Sequence, residues 1–220
     1  MCGRYTLTQD LGYLAERFDF PVPEIEHRPA YNIAPTERRL VVTNGAHHRA
    51  EMFRWGLIPP YAKDARVGSR MINARAEGVE TNGLFRSALR ARRCLVIADS
   101  FFEWRREGGA RVPFRIGLKG WAPFAFAGLW GSWTSPEGER VDSFTIVTCP
   151  SNDLIEPIHD RMPVILSEAD ETAWLDPSPA DPGALVGLLT PYPTERMEAY
   201  RVSPAVNAVR NKGPECIEPA

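Results

Sequence analysis

Four side chains of this 220-residue sequence sit where they could do chemistry: Cys2, Asn73, Glu103 and His159. Cys2 directly follows Met1, and a side chain as small as cysteine's permits removal of an initiator methionine. The mature chain is then expected to begin with an α-amine beside a thiol. The amine titrates near ~7.7 to 8.0 and an unperturbed thiol near ~8.5, so both keep a nucleophilic fraction at neutral pH, unlike a lysine near ~10.4. Together they would trap an aldehyde twice, first as an imine on nitrogen and then through sulfur, closing a five-membered thiazolidine. Read alone, the same residue is a cysteine at a frayed terminus.

Glu103 lies between Phe102 and Trp104 at the end of an apolar run. Partial desolvation there would raise its pKa and suit it to proton transfer. Simple strand alternation would instead turn the two aromatics inward and Glu103 to water. His159, beside Asp160 and Arg161, can move protons near neutrality without special tuning, or act as an ordinary hydrogen-bonding residue. His27 and the adjacent His47 and His48 lie in polar, loop-like sequence. Asn73 and Arg75 could orient a substrate and hold a phosphate, or finish a turn.

Composition limits what these residues can serve. A chain of this length suits one large domain that buries roughly 70% of its unfolded surface without disulfide or metal staples. The four cysteines, at 2, 94, 149 and 216, form no CxxC pair and show no zinc-ligand spacing, so no structural metal is expected. No apolar leader follows the N-terminus, and the most apolar stretch, 121–133, is broken by Pro123, Gly128 and Gly131. No membrane association is expected, and the cytosol, whose reducing conditions suit free thiols, is the expected compartment. A net charge of −2 argues against coating nucleic acid by bulk charge. Yet only three of the 26 basic residues are lysine (Lys63, Lys119, Lys212), and arginine's planar fork suits bidentate phosphate contacts. Genomic base composition produces the same bias.

Strands must position most of these groups. Thr8 is expected to cap a helix over 9–18, with Leu11, Leu14, Ala15 and Phe18 at helical spacing. Strands over 39–43 and 50–55 flank Asn44 and Gly45, a hairpin signal. Further strands are predicted over 94–104, 112–118, 123–130 and 143–148, and helices over 83–90, 152–158, 167–174 (Ser167 capping) and 182–189. Strands outnumber helices without alternating with them. The expected class is therefore α+β, a single domain with a central curved antiparallel sheet or open barrel flanked by short helices.

Taken jointly, several segments resemble the SRAP family, the SOS-response-associated peptidases now regarded as abasic-site processing proteins. They are Cys2, Gly3, Arg4; Tyr31 through Asn32 to Pro35; Trp55, Gly56, Leu57; Asn73, Ala74, Arg75; Phe102, Glu103, Trp104; and His159, Asp160, Arg161. The tail from Val202 through Asn207 to Gly213, Pro214, Glu215, Cys216, Ile217 fits too, so the match spans essentially the whole chain in order. One SRAP-like domain over 1–220 is expected.

The resemblance implies a cofactor-free, monomeric DNA repair protein that recognises abasic sites in single-stranded DNA and accompanies the nucleoid when bound. A ring-opened abasic sugar is an aldehyde, so the amine of Cys2 would form the imine and its thiol the thiazolidine, giving a covalent cross-link. Removal of Met1 would account for the peptidase label, and β-elimination from the imine for a lyase side reaction. Asn73 would orient the amine or sugar, Glu103 would act as general acid/base, and His159 would assist sugar opening and reversal. The implied DNA contacts are Gly3, Arg4, Asn32, Pro35, Tyr61, Arg75, Thr148 and Arg161, with Arg4, Arg75 and Arg161 on phosphates. Pro35 matches a wedging proline of the family, whereas Tyr61 stands in a loop where the pattern has tryptophan and offers less stacking surface. Two other readings use the same residues. One is an N-terminal-nucleophile amidohydrolase or cysteine peptidase, with Cys2 attacking and its amine or His159 as base; the other is a non-catalytic reader of single-stranded or modified DNA.

Overall fold

The computed structural model describes residues 2–45, 48–178 and 181–220. The expected removal of Met1 and the reading of His47 as a loop residue fall outside them. Strand β1 (Tyr5–Leu7) leads into helix α1 (Leu11–Arg17), followed by β2 (Ala30–Ile33), β3 (Arg38–Thr43) and β4 (Ala50–Trp55). Next come β5 (Asn73–Arg75), α2 (Gly83–Ala91), β6 (Arg93–Ala98), β7 (Ser100–Glu107) and β8 (Ala110–Leu118). The chain continues through β9 (Phe124–Thr134), β10 (Arg140–Pro150), β11 (Arg161–Pro163), β12 (Ile165–Leu166), α3 (Glu168–Leu175), α4 (Pro182–Gly187) and β13 (Met197–Arg201). The class is α+β, as expected.

The central sheet closes. Strands β10, β4, β3, β6 and β9 pair in that order, and β9 pairs back onto β10 from Thr134↔Arg140 to Gly128↔Ile146. The five strands form a barrel, which leaves no edge within the ring. All its pairings are antiparallel except β10 with β4. A second sheet, in the order β13, β8, β7, β1, β2, packs outside it. The Tyr5 ring joins the two, meeting Trp55 and Phe126 of the barrel edge-on at 5.1 and 5.9 Å. Every residue of β6 is buried, because one face lines the barrel and the other lies beneath α2 and α3. The guanidinium of its Arg93 is sequestered there by Leu89 O, Arg90 O and Trp174 O at 2.7 to 2.8 Å, a cation on the carbonyl ends of both helices.

Local chemistry explains where the elements depart from the predicted ones. Asp10, not Thr8, caps α1 by accepting from Tyr13 N at 2.9 Å; the hydroxyl of Thr8 donates instead to Asp99. The span 94–104 is two strands in different sheets. The chain changes sheet at Asp99, whose carboxylate takes up Thr8 N and the hydroxyls of Thr6 and Thr8. Strands β3 and β4 do pair as a hairpin, but the connection is longer than Asn44 and Gly45, and the buried Asn44 accepts from Arg93 N on β6. Residues 152–158 make successive turns rather than a helix, since Pro157 has no N–H to extend the ladder. Helix α3 starts at the predicted Ser167 cap. No helix among the described residues is long and apolar enough to cross a membrane.

Candidate active site

The site lies where the start of the outer sheet meets the end of barrel strand β10. Strand β1 pairs with β7 through Tyr5↔Phe101, and Phe102 N donates to Arg4 O at 2.9 Å. This lays Cys2, Gly3 and Arg4 alongside Phe102 and Glu103. On the barrel side, β5 runs parallel to β10 with Ile146↔Asn73 and Thr148↔Arg75, while β11 pairs antiparallel with Pro150↔Arg161. The Trp55 indole fixes the approach to β5 by donating to Ile72 O at 3.0 Å. One strand therefore gathers Asn73, Arg75, Thr148 and Arg161 from segments far apart in sequence.

Asn73 joins the halves, its Nδ2 donating to the Cys2 carbonyl at 2.9 Å. Its buried Oδ1 has no partner among the described residues. Cys2 is fully buried, and its thiol pKa is pushed up, first by burial and then by the charge of Glu103. Glu103, 3% exposed, also has its pKa raised by burial, with His159 pulling the other way when charged. The desolvated reading of Glu103 is the one the fold produces, because β7 runs beneath the N-terminal segment instead of turning that face to water. His159 Nδ1 accepts from Arg161 N at 3.0 Å and lies 2.9 Å from the Asp160 carboxylate.

Gly3, Arg4, Glu103 and His159 line one cavity of about 560 Å³, together with Trp104, Arg106, Arg111 and Asn207. Beyond His159, Asp160 and Arg161 share a depression with Arg75 and Glu77, and Arg75 continues into another with Asn73. The arrangement offers a nucleophile, a carboxyl able to hold a proton above its usual range, an imidazole and a track of cations. Among the described residues no three His, Cys, Asp or Glu side chains are grouped to hold a metal.

The remaining expected DNA contacts are dispersed. Arg4 is committed to Asn32 Oδ1 and Val206 O, each at 2.8 Å. Asn32 is fully buried and donates to the carbonyls of Val206, Ala208 and Asn211, fastening the C-terminal segment. Thr148 is buried against Ala74 O. Arg161 forks onto Glu77 and also donates to Thr148 O at 2.6 Å, and that ion pair holds the Glu77 pKa below the usual carboxylate range. Arg75 is exposed, and Pro35 is half-buried ahead of Thr36, whose backbone is left-handed with φ 77°. Tyr61 is 77% exposed and lines a separate groove with Leu57, Ile58, Leu84 and Trp130, not the cavity at Glu103. Sequence reasoning assigned no role to Arg106, Arg111 or Asn207. Arg106 and Arg111 are equidistant from Gly108 and Gly109, a hairpin signal that would have placed them face to face.

The chain is 47% identical to the abasic site processing protein YoqW of Bacillus subtilis, over 99% of both chains. It is 30% identical to YedK of Escherichia coli, over the full length of both. The protein HMCES of Gallus gallus is 29% identical across 89% of this chain and 68% of its own. A crystal structure of a Bacteroides thetaiotaomicron protein superposes with a TM-score of 0.87 at 26% identity, covering both chains completely. The family model for the SOS response associated peptidases (SRAP) matches residues 1–209. With the barrel, the N-terminal cysteine and full-length relatives in agreement, this chain belongs to the SRAP family.

Proposed function

We propose that this protein processes abasic sites in single-stranded DNA by capturing them covalently through Cys2. The observation that carries the reading is the assembly of Cys2, Asn73 and Glu103 beside a polar cavity, with the Cys2 carbonyl held by Asn73 at 2.9 Å. The relatives named as abasic site processing proteins support it.

Once Met1 is removed, the Cys2 amine attacks the sugar aldehyde carbon to give a carbinolamine. Glu103 donates a proton to the departing hydroxyl, water leaves, and an imine forms. The Cys2 thiol then adds to the imine carbon while its proton passes to nitrogen, closing the thiazolidine. The net change is one water released and two bonds, C–N and C–S, formed. Burial keeps the resting thiol protonated, which suits a second nucleophile that acts after the amine. A cysteine peptidase needs the opposite, a thiolate sustained by a neighbouring cation. Asn73 holds the terminal residue in attacking geometry, and His159 assists opening of the closed sugar. If the imine lingers, β-elimination of the 3′ phosphate gives lyase activity as a side reaction. Each step needs one copy of the chain.

Intact mass spectrometry before and after incubation with abasic single-stranded DNA tests this. The expected result is a chain lacking Met1 that gains the mass of the oligonucleotide less one water. An unchanged adduct yield from Cys2→Ala would overturn the proposal.

A further inference from the structure

The three arginines expected to hold phosphates are unequally free: Arg4 is tied to Asn32 and Val206 O, and Arg161 is paired with Glu77. The cavity has a second source of positive charge on the β7–β8 hairpin. Gly108 and Gly109 turn it with φ of 51° and 87°, left-handed at both central positions as a tight two-residue turn requires. The register then sets Arg106 directly opposite Arg111. Like charges facing across a strand pair are destabilising, both side chains are exposed, and neither forms a salt bridge among the described residues. The neighbouring Arg105, on the other face, is by contrast neutralised by Glu107.

The unpaired charges point to a use. Arg106 shares its strand face with Trp104, whose indole donates to Asn207 Oδ1 at 2.7 Å and so leaves the Asn207 amide hydrogens as oriented donors. Arg106, Arg111, Trp104 and Asn207 line the same cavity as Glu103 and His159. Arg75 belongs to different depressions, reached past Asp160 and Arg161. Two sets of arginines thus line separate depressions around the site.

We infer that Arg106 and Arg111, with the amide of Asn207, form a second phosphate-binding clamp that grips the nucleic-acid backbone on the side of the lesion away from Arg75. The inference rests on the DNA reading above. A strand held at both sides presents its sugar to Cys2 at a fixed position, which one grip alone does not ensure. A grip on phosphates carries no sequence information, so the clamp's contribution is independent of sequence.

The test is the salt dependence of binding to unmodified single-stranded DNA, compared among wild type, Arg106→Ala/Arg111→Ala, Arg106→Lys/Arg111→Lys and a control, Arg90→Ala, on the exposed face of α2. Losing two phosphate contacts should lower the slope of log affinity against log salt by about 1.4 and weaken low-salt binding by roughly ten-fold. The lysine pair should keep most of the slope, and Arg90→Ala should match wild type. The alanine pair should melt no lower than wild type, because it relieves a repulsion, and this separates lost binding from lost folding. An unchanged slope and affinity in the alanine pair, with wild type still cross-linking abasic DNA, overturns the clamp and leaves covalent capture standing. Absence of any adduct from wild type would instead overturn the capture reading and the clamp with it.

Discussion

Two fully buried cysteines show how neighbours decide chemistry. Cys2 and Cys94 are both inaccessible, and burial raises both thiols far above their ordinary range. Cys94 stands in the barrel wall, where a Cβ on Gly128 would come within 2.7 Å of its sulfur and its backbone carbonyl is capped by the Trp174 indole. Nothing there moves a proton. Cys2 is buried to the same extent, but beside Asn73 and Glu103, and its neighbour Gly3 lines the polar cavity. Burial makes both thiols quiet, and of the two only the N-terminal one lies beside a carboxyl and a side-chain amide.

The sharpest break in this comparison is a substitution pair. Cys2→Ala should abolish the denaturation-resistant adduct, and Cys94→Ala should leave its yield within two-fold of wild type, read on the same gel. An N-terminal extension that blocks the amine should act as Cys2→Ala does, with an unchanged melting curve.

Glu103→Gln comes next. Losing a general acid should slow cross-linking by roughly 10² to 10⁴-fold, measured as a single-turnover rate. Because burial raises the Glu103 pKa, its proton is available further into the neutral range than a surface carboxyl's would be. The wild-type rate should fall as pH rises through that raised value, and the glutamine variant should lose this limb. Stability follows the same sign: a raised carboxyl favours the fold below the ordinary carboxylate range and loses that contribution as pH climbs through its folded value. Melting curves of Glu103→Gln should therefore decline less steeply with pH.

Cys94→Ala should instead cost about 1 to 2 kcal/mol of stability, since it empties a sulfur-sized space in a closed wall; urea titration measures it. The smallest effect is at Glu77. Glu77→Gln releases the Arg161 fork, and single-strand affinity should rise a few-fold if Arg161 reaches a phosphate. Unchanged affinity would assign Arg161 to holding β10 against Glu77 alone.

Much of the frame was legible because it depends on local pattern. The β3 and β4 strands, the Ser167 cap and helix α2 follow from alternation, capping chemistry and helical spacing within a few residues. Partners far away in sequence were not legible. Asp99 splits one apolar run into two strands because Thr6 and Thr8, more than 90 positions earlier, saturate its carboxylate. Sequence alone leaves Glu103 exposed or desolvated; the segment ahead of β1, laid along β7 by the Phe102 N to Arg4 O bond, accompanies its burial. Resemblance implied a set of DNA contacts, and the fold divides that set. Arg75 is open, Asn32 and Thr148 are enclosed, and Tyr61 lines another groove. The Arg106 and Arg111 pair needed only symmetry about two glycines, a short-range cue within reach of the sequence.

The attachment of Arg4 and Asn32 to carbonyls at 206, 208 and 211 has a consequence for biosynthesis. Arg4 leaves the ribosome 202 residues before Val206, whose carbonyl fastens it. Throughout translation the nascent N-terminus is an ordinary tethered amine and thiol with no assembled acid beside it. On the covalent-capture reading proposed above, a chain that has not yet reached residue 206 is poorly equipped to attach itself to damaged DNA.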